Sequence, residues 1–187
     1  MDIKRSYAWI TACCKEEHGA DPIRLAKRIM ADQSIRMHGP EHHFLTAAVL
    51  MTACCNATGK PLGNALDQLC IRTDKILPAV CGYYGVCGDV LAAGAFMSVW
   101  LGNHYMAGET WRINGQFAAV CQRMVYQTRG PRCCKRTTFA AIEGAAAFLA
   151  ENEMITLSMP RQIKCGFFKM NDVCLKDECP YYPKKVR

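Results

Sequence analysis

Apolar positions recur along this chain at three- and four-residue intervals, and Gly, Pro and Asn punctuate the intervals into a series of helix-length segments. The first runs from Tyr7 to Cys14, between Lys4-Arg5 and the Lys15-Glu16-Glu17 cluster, and predicts an amphipathic helix. Asp21-Pro22 predicts a second start, an N-cap followed by proline at the first helical position, with Ile23, Leu25, Ala26, Ile29 and Met30 as its body up to Asp32. Gly39-Pro40-Glu41 opens a third helix with an apolar body from Phe44 to Ala57, ended by Gly59-Lys60-Pro61. Leu62, Leu66, Leu69, Cys70 and Ile76 keep helical spacing up to Leu77, and Pro78 then leads into the loop CGYYGVCGD. Small and apolar residues predict a helix from Val90 to Leu101, stopped by Gly102-Asn103, and a stripe through Trp111, Phe117, Val120, Cys121, Met124 and Val125 predicts another from Glu109 to Thr128. After the break at Arg129-Gly130-Pro131, a last helix is expected from RCCKRTT to about Glu153. Ile155 to Met159 reads as a short strand, and from Lys164 onward the periodicity fades.

The expected fold class is therefore mainly α: one helical-bundle domain, with a body over 1–153 and an irregular Cys-rich C-terminal segment over 154–187. That segment has too few apolar residues for a core of its own. A metal, or docking onto the helices, has to order it.

Composition narrows the function classes. At 187 residues, with 51% apolar and 21% charged positions, the chain suits one domain with a real core. No apolar run approaches the ~20 residues of a membrane span. The apolar stretch near the N-terminus is short and carries Trp9 and Thr11, a poor secretory pattern, so a cytoplasmic protein is expected. Thirteen cysteines, an odd count, then read as buried thiols, metal ligands or reactive thiolates rather than as a disulfide framework. The net charge of +7 is a modest signal for an anionic small-molecule partner and does not favour nucleic acid.

The strongest chemical signal is IKCGFFKMNDVCLKDECPYYP, in which Cys165, Cys174 and Cys179 are spaced C-x8-C-x4-C among Lys, Asp, Glu and Asn. Thiolates are preferred ligands of iron–sulfur clusters and zinc, and a Cys-Pro step occurs in cluster-binding runs. Without C-x2-C, zinc is less favoured than that motif would make it; a structural zinc would want a fourth protein ligand, whereas a [4Fe–4S] cluster on three cysteines leaves one iron open to substrate. Three ligands leave one position. Cys133 and Cys134, at a helix start among Arg129, Arg132, Lys135 and Arg136, are the candidates to fill it, and the dipole and charges there are expected to lower a thiol pKa. Neighbours on a helix cannot share a face, so only one of the two is expected at the metal. Arg132 and the same helix start are candidates to hold an anionic substrate.

Two further segments carry candidate chemistry. Cys81 and Cys87 flank the glycines of CGYYGVCGD and are candidate cofactor-binding residues. MHGPEHHF crowds His38, Glu41, His42 and His43 at a helix start; His42 or His43 fits a general base or substrate-orienting role, and His42 and Cys134 are taken as the candidate catalytic residues. All three segments sit at helix entrances after Gly- or Pro-containing turns. If the entrances converge, they form an electropositive pocket rimmed by His42, Cys81, Cys87 and Cys134. The other cysteines, Cys13, Cys14, Cys54, Cys55, Cys70 and Cys121, lie in apolar helical stretches and read as small core residues.

The runs MHGPEHHFLTAAVL, CGYYGVCG, GPRCCKRTTFAAI and the final CxxxxCPYYP together resemble an uncharacterised Cys-rich domain family of anaerobic bacteria and archaea, over about His38 to Pro183. The resemblance implies an anaerobic cytosol, which favours an iron–sulfur cluster over zinc, and a methyltransferase or radical-SAM protein as partner. It implies no reaction. The chain has no CxxxCxxC of its own, so any such chemistry is expected from the partner. The functional expectation is an iron–sulfur protein of anaerobic metabolism, with sulfur handling or Lewis-acid catalysis in the pocket. The alternatives are a zinc-stabilised binding module serving that partner, and a metal-free protein with Cys133 or Cys134 as nucleophile.

Overall fold

In the computed structural model, which describes residues 3–183, helices follow one another in the predicted order: α1 (Ile3–Glu16), α2 (Pro22–Met30), α3 (Glu41–Thr58), α4 (Ala65–Thr73), α5 (Val80–Tyr84), α6 (Gly88–Trp100), α7 (Glu109–Val125) and α8 (Cys134–Glu151). The protein is a mainly α domain, and among the described residues there is no strand. Residues 1–2 and 184–187, the ends of the single-domain reading, lie outside the described residues.

The local starts have the expected causes. Asp21 caps α2, its side chain accepting from the amides of Ile23 and Arg24, and Pro22 fills the first turn. α3 is buried on every side from Glu41 to Cys55, the mark of a central helix. α1, α2, α4, α6 and α8 pack around it, and α7 closes the bundle against α6 and α8. Gly144 lets α7 and α8 approach, since a Cβ there would stand 3.0 Å from the Cα of Cys121 and 3.0 Å from Cγ of Met124.

Two segments differ from the sequence reading. The first part of CGYYGVCGD is not open loop but belongs to a short helix, α5, over Val80–Tyr84, with Gly85 as its C-cap. The stretch Ile155–Met159 does alternate, with Ile155 and Leu157 buried and Thr156 and Ser158 exposed, but it has no partner strand. The Ser158 amide donates instead to the Ala20 carbonyl at 3.1 Å, so the segment is an extended strap across the helices. Beyond it the tail folds back through two 3₁₀ turns, Phe168–Met170 and Lys176–Glu178, and Cys165 N donates to Tyr181 O at 2.7 Å to close the loop. The tail is pinned to the body by Tyr181, whose ring meets Phe139 edge-on at 5.5 Å and whose hydroxyl contacts Glu143, and by the exposed Arg129–Glu178 ion pair.

No helix among the described residues is long and apolar enough to cross a membrane. All thirteen cysteines are free thiols.

Candidate metal centre and the adjoining cavity

The turn from Cys133 to Thr137, where α8 begins, separates two cavities. Cys133 adopts extended backbone as the N-cap and Cys134 is the first helical residue, so their side chains diverge. Cys133 enters a small cavity of about 20 Å³ together with Cys165, Cys174 and Cys179. Cys134 lines a separate cavity of about 340 Å³. Arg136 lines both. Either cysteine could have supplied the fourth ligand on sequence alone, and the fold brings only Cys133 to the tail thiols.

Around the small cavity the chain directs N–H donors at sulfur. Phe167 N donates to Cys165 Sγ at 3.3 Å and Lys176 N to Cys174 Sγ at 3.4 Å. Lys176 takes a positive φ of 49° in the turn that aims its amide this way. Asn171 Nδ2 donates to Cys133 Sγ at 3.6 Å, while its Oδ1 meets His38 Nε2 at 3.3 Å and accepts from Val173 N at 3.2 Å. His38, expected at a cap, thus ties the body to the tail through Asn171. The remaining wall is aromatic and apolar: Phe139, Phe168, Tyr181, Tyr182, Met37 and Leu175.

One cation sits close by. Lys135 is 0% exposed, with Nζ 3.4 Å from the carbonyl oxygens of Met30 and Ile35 and 5.0 Å from the Phe167 ring centre. Burial pushes its ammonium down to about 8, and Glu41, Cys134, Cys133 and Cys165 pull the other way. Two of the thiols, Cys133 and Cys165, go up. Burial raises Cys133 against the Arg136 charge and the nearby amides of Arg136 and Lys135, and burial raises Cys165, with its sulfur neighbours Cys133, Cys179 and Cys174 adding to it. The expectation that charges and helix dipole would lower a thiol pKa here is corrected, because desolvation outweighs both. Among the described residues no group of three or more His, Cys, Asp or Glu side chains is arranged to hold a single metal ion. The donor chemistry suits a thiolate-bound cluster: four sulfurs, amides aimed at them, no carboxylate in the wall, and a buried ammonium to offset negative charge.

The larger cavity is where the three helix entrances meet. His43 from the start of α3, Cys87, Gly88 and Asp89 from the start of α6, and Arg132, Cys134 and Thr137 from the start of α8 all line it, with Cys81 from α5. Cys81, Cys87 and Arg132, the predicted cofactor-binding residues, are therefore together. The histidine is His43, not His42. Successive residues on a helix point about 100° apart, and His42 turns inward, fully buried, with Nδ1 3.1 Å from Gly39 O. Burial and Lys135 push His42 down to about 3 against the pull of Glu41, so it stays neutral and off both cavities. Cys134 is equally unsuited to the nucleophile role, its thiol pushed up to about 12 by burial and by Asp89.

Asp89 carries no signal in the sequence. It reads there as an ordinary acid in a helix first turn, but it is 2% exposed and accepts from Thr46 Oγ1 at 3.0 Å and Thr137 Oγ1 at 2.6 Å, with the Cys87 thiol at 3.8 Å. Burial raises its carboxyl, and His43 opposes the rise. Gly88 makes room for the pair, since a Cβ there would strike the His43 ring. Glu41 holds structure rather than substrate. Fully buried, it takes three hydrogen bonds from the Arg36 guanidinium, the shortest 2.6 Å, and one from Arg36 N at 2.8 Å. Gly39 leaves the space that its carboxylate fills.

The chain matches the model of a family of unknown function (DUF5714) over residues 10–182, which takes in the entrances of α3, α6 and α8 and all three tail cysteines. It belongs to this family. Among curated proteins and solved structures, nothing matches the DUF5714 chain.

Proposed function

We propose that this DUF5714 protein is an iron–sulfur protein that holds a [4Fe–4S] cluster on Cys133, Cys165, Cys174 and Cys179 and acts on a small molecule in the adjoining cavity. The observation that carries the reading is the fourth cysteine: Cys133 comes from the helical body, far from the tail in sequence, and lines the same small cavity as the tail's three. The amides of Phe167 and Lys176 and the Asn171 side chain, all directed at sulfur, support it, as does the buried Lys135 ammonium. One-electron transfer is the chemistry such a cluster supplies when bound. Four cysteine ligands leave no iron open, so the reading favours electron transfer over the Lewis-acid role.

The chain's own residues then have definite roles. Lys135 and Arg136 offset the charge of four thiolates. Phe139, Phe168, Tyr181 and Tyr182 exclude water. Asn171 and His38 hold the tail against α8 so that its three sulfurs face the fourth. A cluster of this kind and thirteen free thiols suit a reducing, anaerobic cytoplasm, and a methyltransferase or radical-SAM protein is the partner class to which electrons would pass.

The test is expression and purification without oxygen, followed by iron, sulfide and zinc analysis. About four irons and four sulfides per chain are expected, with broad visible absorption that bleaches on reduction. Colourless protein that carries stoichiometric zinc after anaerobic reconstitution with iron and sulfide would replace the cluster with the zinc-stabilised module. Protein that takes up neither metal would end both.

A further inference from the structure

The 340 Å³ cavity lies against a different wall of α8 from the cysteine cluster, and what it binds can be argued separately. Its size is that of a small-molecule site. Two long helices, α6 and α8, open onto it, and neither N-cap side chain, Cys87 or Cys133, makes a capping hydrogen bond. The first turns of both helices leave partial positive charge at the cavity, with the amides of Asp89, Lys135 and Arg136 turned toward the Cys87 and Cys133 sulfurs. Two polar side chains more than nine-tenths buried, His43 and Arg136, also line it, and each has a nitrogen without a partner, Nδ1 and Nε, while Arg136 Nη2 donates to the carbonyls of Arg129 and Pro131. Arg132 is exposed on the rim and makes no hydrogen bond or ion pair among the described residues.

One group opposes an anion. Asp89 is buried in the wall, but both its oxygens are already engaged by Thr46, Thr137 and Cys87. A single negative charge can sit with two guanidinium groups and two helix starts, whereas a dianion would face that carboxyl with twice the repulsion. The rest of the lining is apolar, with Ala79, Val80, Val125 and Tyr126. We infer that the cavity binds a small monocarboxylate with an apolar body, its acid group held by Arg132, Arg136 and the amides at the starts of α6 and α8.

The inference deepens the proposed function by naming the substrate class, yet it does not depend on the cluster, and metal content measured on the same samples keeps the two apart. Anaerobically prepared full-length protein is titrated calorimetrically with benzoate and hexanoate, with benzamide and hexanamide as uncharged isosteres, and with inorganic phosphate. At least one carboxylate is expected to bind one per chain, with its amide about tenfold weaker or worse. Arg132→Gln, an exposed position whose change leaves the fold intact, is expected to weaken the carboxylate about tenfold. Arg129→Gln, outside the cavity, should leave binding unchanged. Absence of carboxylate binding, equal binding of the amides, phosphate binding in preference to both carboxylates, or indifference to Arg132→Gln would each overturn the assignment, whatever the iron content.

Discussion

Cys133 and Cys134 are chemically identical neighbours, and the fold gives them different work, so exchanging each for serine is a sharp test. The perturbation is mild at the backbone. Residue 133 is the N-cap of α8, where serine is a preferred cap, and residue 134 is in the first turn, so helix loss is not the expected outcome of either change. The magnitude at Cys133 follows from what the thiol touches. Structural zinc on the four ligands of a zinc-finger peptide is worth about 10–16 kcal/mol, and on that scale one ligand of four carries roughly 3 kcal/mol. Loss of the Asn171 contact adds about 1 kcal/mol. Together these predict metal affinity roughly 10³-fold weaker, at about 1.4 kcal/mol per decade. Cys134→Ser removes a thiol from the other cavity and is expected to keep the metal within about threefold of the parent protein. The assay is chelator competition after anaerobic reconstitution, with far-UV circular dichroism on the same samples to show equal helicity. Equal loss in both variants, or loss only in Cys134→Ser, would refute the partition of the two thiols and the four-cysteine site with it.

Other expectations rest on the body. Glu41→Gln should destabilise by about 1–3 kcal/mol in urea, because it leaves the Arg36 guanidinium and amide against a neutral, buried side chain; Arg36 is part-exposed, which keeps the figure below that of a fully buried pair. The same pair sets a pH dependence. Burial would raise the Glu41 carboxyl, but the Arg36 hydrogen bonds win and hold it below the ordinary carboxylate range, so the unfolded chain takes up the proton first. The stabilisation is full above the unfolded pKa of about 4.3 and is lost as pH falls through the lower folded value. Unfolding midpoints that fall as steeply with acid in Glu41→Gln as in the parent would remove Glu41 as the cause. Gly144→Ala should cost about 1–3 kcal/mol despite the helix propensity gained, because the Cα of Cys121 cannot yield. A variant as stable as the parent in the same titration would show that α7 can slide.

How much of this was legible depends on what kind of signal each feature leaves. Helices announce themselves by period and punctuation, so the starts at Asp21-Pro22 and Gly39-Pro40 and the stop at Gly102-Asn103 read correctly. The cysteine spacing marked the tail, and the shared placement of three motifs at helix entrances foretold the cavity into which His43, Cys87 and Cys134 point. Register left no such signal. Nothing in HGPEHH says which of two adjacent histidines turns toward the cavity, and nothing in RCCK says which thiol faces the tail; each is fixed by how α3 and α8 roll against their neighbours. Asp89 and Asn171 were invisible for another reason. An acid in a first turn and an asparagine in a loop are ordinary where they stand, and only distant partners, Thr46 at one and His38 with Cys133 at the other, give them roles. The strap from Ile155 alternated as a strand does, but alternation reports two faces and not the presence of a neighbour to pair with.

The opening turn of α8 works as a rigid vane between two chambers. Cys133 and Cys134 are consecutive on one backbone, and Arg136 reaches both sides. A vane cannot tilt toward one chamber without tilting away from the other. Sequence change at this turn is therefore doubly constrained: a one-residue insertion or deletion between Pro131 and Thr137 would turn each chamber's chemistry to face the wrong side, while leaving composition and helix length nearly untouched.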